Sequence, residues 1–567
     1  MSQCQPLRVA EGPDGCSLPP GLKLKPRFDE PPTAPGLLAD PAVAQWPELA
    51  RSNRRLLFQE SLHLAGVPLA QVRRWLREEL PGLPLPAGLE DPLLLVTGHQ
   101  PVLYHPGVWI KLFAGSQAAA SAGGHLVNIV VDSDAERLAV PVPAPGPGAG
   151  QVGVVMLEPE GTGSDHVPLE RRPAPDADAW RAFLEAIRAS LASLRPDVAG
   201  RLERLEHVKP EPGEVVASFF SRVRRAWEAG APVPGPGGYV ELCVSRLSQT
   251  LAFRLWLMEW ALQAPFWREA YNEALRQYRA LHKLRSPANP FPDLEATGEG
   301  IELPFWSLVQ EGGAWARRPV LVEWAGRGGA EIRFRARTPS GAGPVLVQVP
   351  AGDPLAAARL LGEAPVEFRP KAIPLTLFVR LVVADLFIHG TGGAKYETIG
   401  DFLMAARWPE AFDRAAPAYA TASATLLFDI PAVRDQAARL PALEDLARSL
   451  EHNPQRVVAA LQGPLREEAA EAGLVVDGDL ENMARRKAEL VQAIQAGGDK
   501  KMLGRAIRAV NEELARRLEP ARAYLERELE AARRAEAVLT ERAYPFFFFE
   551  PAQLWDLLGG ASGPEKG

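Results

Sequence analysis

Two short runs in which nearly every position is apolar, Leu93–Val96 and Leu126–Val131, flank a stretch of helical apolar spacing over Gly107–Ser121. A run apolar at every position predicts a strand covered on both faces. A helix between two such strands predicts a parallel βαβ unit, because the connection is long enough for a crossover. Upstream, helices are predicted over Pro47–Ala65 and Leu69–Leu80, after an extended proline-rich arm at residues 1–40. The Pro/Gly-rich stretch Pro141–Gly150 closes the unit. Trp180–Leu194 and Val215–Ala229 then carry helical spacing between Pro/Gly-rich joints, and Gly161–Gly235 reads as a mainly helical insertion. Strand character returns at Tyr239–Val244, Glu269–Leu281 reads as a helix, and Ile301–Trp306, Pro319–Trp324 and Glu331–Arg335 read as strands, the last two by alternation. Leu375–Phe387 is strongly apolar and leads into a glycine-rich turn that opens a helix.

Beyond Ile430 the pattern changes. Leu480–Ala496 and Asp499–Arg542 are rich in Ala, Glu, Arg and Leu, with Gly497-Gly498 between them and Asp499 placed as an N-cap. At about 1.5 Å per residue the second segment would reach roughly 65 Å, too long for an ordinary globular helix. Pro520 is expected to kink it, and an antiparallel coiled-coil arm is the expected form. The tail Ala543–Leu558 contains Phe546–Phe549, a run that has to be buried.

Composition narrows the class. The chain has 567 residues, 47% of them apolar, and a net charge of −7, so no global basic field draws it to nucleic acid. Its three cysteines, Cys4, Cys16 and Cys243, are widely spaced, which argues against a disulfide framework and a structural zinc site. Met1–Glu30 carries no apolar signal-peptide core, and no run of 18 apolar residues is free of charge. A soluble cytoplasmic protein is expected, with no membrane partner.

The loop Thr97–Gly107 leaves the C-terminal end of a predicted parallel strand and enters a helix, the edge at which open α/β sheets bind ligands. Thr97, Gly98, Gln100 and Gly107 line the expected anion site with Lys111 one turn into the helix. His99 and His105, two of the nine histidines, are candidate acid/base groups. A polar turn whose histidines are satisfied by carbonyls is the alternative. The run His105–Val108 is a weak match to the His-x-Gly-His signature of class I nucleotidyl transferases. Asp132, Asp134 and Glu136 cluster where the next strand ends, placed to orient an amine or hold magnesium; an acidic capping turn would look the same. In the later segment, His389, Gly390, Gly392, Gly393, Lys395 and Tyr396 suggest a second anion-binding nest, without the spacing of a Walker A loop. Asp385 and Arg380 are expected to form a buried pair, and Arg369 and Lys371 a basic pair. His282–Asp293 reads as a linker or a substrate loop.

In order along the chain, Thr97-Gly98-His99-Gln100 with Lys111, the cluster Asp132, Asp134 and Glu136, Arg369-Pro370, and the turn Gly390–Tyr396 resemble the bacillithiol-biosynthesis cysteine-adding enzyme family. The long arm and aromatic tail extend the likeness from about Pro92 to Leu558. His99, His105, His389 and Lys395 depart from the family pattern and mark a divergent member. The resemblance implies an α/β fold with a Rossmann-like parallel-sheet core, a helical insertion and a C-terminal α-helical coiled-coil arm that mediates homodimerisation. The corresponding divisions are 1–160 (N-terminal arm and first half of the core), 161–235 (insertion), 236–429 (second half) and 430–567 (arm and tail). It also implies a ligase that joins cysteine, or another amino acid, to an amino-sugar such as glucosaminyl-malate, with ATP or ADP and magnesium as candidate cofactors. His99, His105, Asp132, Asp134 and Lys395 are the expected catalytic residues. Thr97, Gly98, Gln100, Gly107, Lys111, Glu136, Arg369, His389, Gly390, Gly392, Gly393 and Tyr396 are expected to bind substrate or nucleotide. A small-molecule nucleotidyl transferase and a dimeric interaction protein with a relic core are the competing readings.

Overall fold

The computed structural model describes residues 18–559 apart from 20, 28, 145–150, 159–165, 234, 339–340 and 413–415. Residues 1–17 of the expected arm, and part of the Pro141–Gly150 joint, therefore lie outside the described residues. The central sheet comprises β1 (Gly36–Asp40), β2 (Leu94–His99), β3 (His125–Val130), β4 (Tyr239–Cys243), β5 (Leu386–His389) and β6 (Tyr419–Thr425). Their spatial order is β1-β6-β5-β2-β3-β4, parallel except that β1 runs antiparallel to β6.

The predicted βαβ unit is present: β2 pairs in parallel with β3, joined by helix α1 (Pro106–Ser121). The sheet is covered on both faces because its strands are apolar at consecutive positions. Leu94, Val96, Val127, Ile129 and Phe387 share one core with helix α2 (Thr391–Arg407), the helices Leu251–Leu262 and Ala264–Leu281, and a second sheet. Leu95, Leu126, Leu386 and Ile388 face the opposite core, with α1, the helices Ala177–Leu191 and Val216–Gly230, and the aromatic tail. The second sheet is antiparallel, in the order Gly341–Pro350, Glu331–Thr338, Ala314–Ala325, Gly300–Glu311, Glu367–Pro370. It contains all three strands predicted there and extends each of them.

The first predicted helix stops at Leu57 rather than Ala65, because the chain turns into a short ladder between His63–Leu64 and Val67–Pro68. Ala65 and Gly66 take positive φ at this turn, and the Ala65 N–H donates to the buried Glu259 carboxylate at 2.8 Å. Residues after Ile430 form a helical bundle. Gly478–Gln495, Lys500–Arg517 and Glu519–Thr540 pack with Leu440–His452 and Gln455–Gln462 around Leu443, Val457, Leu514 and Leu525. Asp499 caps its helix by accepting from the Lys501 and Met502 N–H groups, and the helix breaks at Leu518, ahead of Pro520.

The phenylalanine run is fully internal: Phe546, Phe547, Phe548 and Phe549 are 1%, 0%, 2% and 2% exposed. Phe546 packs against Tyr104 and Trp109, ring centroids 5.9 and 5.4 Å apart, and its N–H donates to the Tyr104 carbonyl at 2.8 Å. The tail thus backs the loop that carries His99 and His105.

One expected pairing is wrong. Asp385 does not meet Arg380. A π-helical turn at Val379–Val383 is followed by extended backbone at Ala384, which carries Asp385 to the start of β5 and away from Arg380. Asp385 instead accepts from Arg54, Arg73 and the Leu94 N–H, while Arg380 binds Glu397 and Asp401.

Candidate active site

From β2 the chain crosses through α1 toward β3; from the adjacent β5 it crosses through α2 toward β6. Neighbouring strands whose chains leave in opposite directions open a crevice beyond their C-terminal ends. A cavity of about 770 Å³ occupies that crevice, lined by the ends of β2 and β5, the starts of α1 and α2, and residues of the second sheet.

Thirteen of the seventeen expected catalytic and binding residues line this cavity: Gly98, His99, Gln100, His105, Gly107, Lys111, Asp134, Glu136, His389, Gly390, Gly392, Gly393 and Tyr396. Lys111 is 4% exposed, and its Nζ donates to the Gly98 carbonyl at 2.7 Å. No described carboxylate pairs with it. Burial alone pushes its pKa from 10.5 down to about 7. Burial, reinforced by the Lys111 charge, brings His99 down to about 3. His105 falls to about 4, through burial and then the charges of Arg542 and Lys111. Both imidazoles are neutral at physiological pH, and their contacts fix which nitrogen holds the proton. His99 Nδ1 lies 3.1 Å from the Gln100 carbonyl, so Nδ1 donates and Nε2 accepts. His105 Nδ1 accepts from the Gly107 N–H at 3.1 Å, which leaves the proton on Nε2.

That second contact changes the expected anion site. His105 caps α1, and the Val108 and Trp109 N–H groups also donate to the His105 carbonyl, so the first amides of α1 are occupied. The open amides belong to α2. Gly390 provides no side-chain cap, and the Thr391, Gly392 and Gly393 N–H groups have no partner among the described residues. Gly107 has to be glycine: a Cβ there would lie 2.7 Å from His105 Cε1 and 2.9 Å from the Ala424 carbonyl.

The facing wall is acidic and aromatic. Asp134 accepts from Gln100 Nε2 at 3.0 Å and Arg317 Nη1 at 2.7 Å. Burial raises its pKa, but these two contacts outweigh burial and the net shift is downward. Glu136 is pushed upward by burial and then by the Asp134 charge. Two cations lie over the Trp306 ring, Lys371 Nζ 4.3 Å and Arg317 Cζ 5.2 Å from its centroid. Phe291 and Tyr396, centroids 5.2 Å apart, close the outer side.

No protein-family model and no curated protein matches the chain.

Four expected site residues stand outside the cavity lining. Thr97 Oγ1 donates to the Ile388 carbonyl at 2.9 Å and ties β2 to β5. Asp132, raised by burial, accepts from the Ser245 N–H and hydroxyl. Arg369, 1% exposed, is held by Glu170 and Glu367. Lys395 pairs with Glu30 at 2.6 Å on the surface. Lys371, expected beside Arg369 as a basic pair, instead reaches the cavity and binds Glu302 at 2.9 Å. Trp306, Arg317 and Tyr271 escaped the sequence reading because no local pattern links the second sheet and its helix to this crevice. Phe291 and Pro292 fall in the segment flagged as a linker or substrate loop, and they line the cavity. Among the described residues, no three His, Cys, Asp or Glu side chains are grouped as metal ligands, and no helix is long and apolar enough to cross a membrane.

Proposed function

We propose that this protein is a ligase-like enzyme that joins cysteine, or another amino acid, to an amino-sugar acceptor in low-molecular-weight thiol biosynthesis. Lys111 is the observation that carries the reading. A buried ammonium without a carboxylate is costly, and it persists where a ligand supplies the missing negative charge. The uncapped amides of Thr391, Gly392 and Gly393 and the dipoles of two helices favour the same charge. A phosphate of ATP or ADP, or a substrate carboxylate, satisfies all of them.

The opposite wall suits an amine. Asp134 stays ionised, and no described group hydrogen-bonds the Glu136 carboxylate, so an amino-sugar ammonium would meet negative charge there. His105 Nε2–H serves as a donor to the bound anion, and His99 Nε2 as an acceptor for a substrate hydroxyl or amine. Magnesium would enter with the phosphates. A Rossmann-like ancestry of the sheet, and homodimerisation through a coiled-coil arm built from the hairpin Gly478–Arg517, belong to the same proposal.

Thermal-shift titration with phosphate, ATP, ADP and cysteine tests the reading through linkage of binding to stability. Wild-type protein is expected to be stabilised by at least one of the anions, and Lys111→Met to lose that response. No shift with any ligand would sink the proposal. Pyrophosphate release from ATP without amino acid would favour the nucleotidyl transferase instead.

A further inference from the structure

We propose that His389 is the proton acceptor of this cleft and that Glu397, buried inside α2, holds it in the tautomer the reaction needs. The inference rests on the cleft being the active site described above and adds the residues that move the proton.

His389 ends β5 at the centre of the sheet and lines the cavity. Its Nε2 lies 3.3 Å from Glu397 Oε2, at 5% and 0% side-chain exposure. Neither atom meets hydrogen-bond geometry with the other, and neither has a hydrogen bond to any other described group. Two orphaned buried polar atoms at this separation are both satisfied if a small rotation of the imidazole brings one proton between them. Arg380 decides which atom owns it. Its Nη1 binds Glu397 Oε1, keeping that group a carboxylate, so Oε2 is an acceptor and His389 must be the donor. The imidazole is therefore protonated on Nε2, and its Nδ1 lone pair is free.

Nδ1 is also kept open. A Cβ on Gly393 would lie 2.7 Å from it, so the glycine at this turn leaves the space over Nδ1 clear. His99 and His105 differ in one respect that matters. Each spends its contact on a neutral backbone group, whereas His389 alone has a carboxylate behind it, able to stabilise the imidazolium that forms on proton uptake.

Every charged group packed against His389 takes part. Arg380 from the π-helical turn, Lys111 from α1 and Arg27 from the N-terminal segment all disfavour its protonation. Tyr419 of β6 and Phe387 stand edge-on to its ring, at 5.2 and 4.4 Å, and Asp401 is occupied by Arg380. In the ligand-free cleft the imidazole is therefore neutral. An anion on Lys111 cancels one of the three opposing cations, so His389 becomes more basic when substrate is present. In the reaction, the acceptor amine nitrogen bonds to the carbonyl carbon of a phosphate-activated amino acid. The bond from that carbon to the phosphate oxygen breaks, and the amine proton passes to His389 Nδ1.

The test is long-range ¹H–¹⁵N NMR on ¹⁵N-histidine-labelled protein, with the His389 signals assigned by their loss in His389→Gln. Turnover is read as amide formation from cysteine, ATP and an amino-sugar. Wild type is expected to show Nε2 protonated and Nδ1 bare. Glu397→Gln is expected to scramble the tautomers and to cut kcat by roughly 10²-fold or more at unchanged KM. Gly393→Ala keeps Glu397 and serves if Glu397→Gln fails to fold; it should retain the tautomer and lose turnover to a similar degree. Nδ1 protonated in wild type, or either variant within tenfold of wild-type kcat, would overturn the proposal. Failure of the ligase reading looks different: wild type itself would give no ligand-induced thermal shift.

Discussion

The two ends of β5 handle buried charge in opposite ways. At its start Asp385 is 1% exposed and is met by Arg54, Arg73 and the Leu94 N–H, and further Arg54 and Arg73 N–H groups bind backbone carbonyls. At its end, four residues on, His389 faces Lys111, a buried cation with a single carbonyl for company, and three unoccupied amides of α2. Both ends remove ionisable groups from water. One meets its buried carboxylate with two guanidiniums, although Arg73 Nε is left without a partner, and the other meets its buried cation only with something added. A buried charge met by opposite charge within the chain belongs to the scaffold, and one left without it marks a site.

The sharpest way to break this contrast is Asp385→Asn, which leaves two buried guanidiniums without a carboxylate. A loss of about 3–5 kcal/mol is expected in urea denaturation, enough to threaten soluble expression. The mirror experiment at the other end should go the opposite way. Lys111 has a lower pKa folded than unfolded, so between pH 7 and 10.5 the unfolded chain binds more protons. Its contribution to stability therefore rises with pH through that window. Lys111→Met is expected to flatten the rise and to stabilise the ligand-free protein at neutral pH, on the order of a few kcal/mol, visible as a higher midpoint at pH 7 than wild type. Saturating phosphate should narrow the gap by stabilising wild type alone. The smallest effect belongs to Lys395→Ala. Its partner Glu30 is 71% exposed, so the change should cost at most about 0.5 kcal/mol and leave the phosphate response intact. A lost response would place Lys395 in the site after all.

What could be read from the sequence follows from the range of the interactions. The βαβ unit was legible because a strand buried on both faces writes its environment into consecutive residues, and one wall of the cavity, from Gly98 to Lys111, came with it. The burial of Phe546–Phe549 was legible for the same reason. Pairings across hundreds of positions were not: Asp385 finds Arg54 and Arg73 rather than its neighbour Arg380, and nothing local announces it. Glu397 escaped notice because a glutamate inside a helix is ordinary until its neighbours in space are known. The hairpin after Leu57 was hidden by its own apolar residues, which continue a helical spacing that the turn at Ala65 and Gly66 interrupts.

The aromatic tail has a consequence for the order of synthesis. The loop bearing His99 and His105 leaves the ribosome early, yet its inner support is Phe546, made hundreds of residues later. Until the tail docks, Tyr104 and Trp109 present bare rings, and the carbonyl of Tyr104 lacks its strap. The crevice therefore matures after translation has passed Phe546, and every nascent intermediate carries the loop without its backing. Such a chain completes this crevice in one late step.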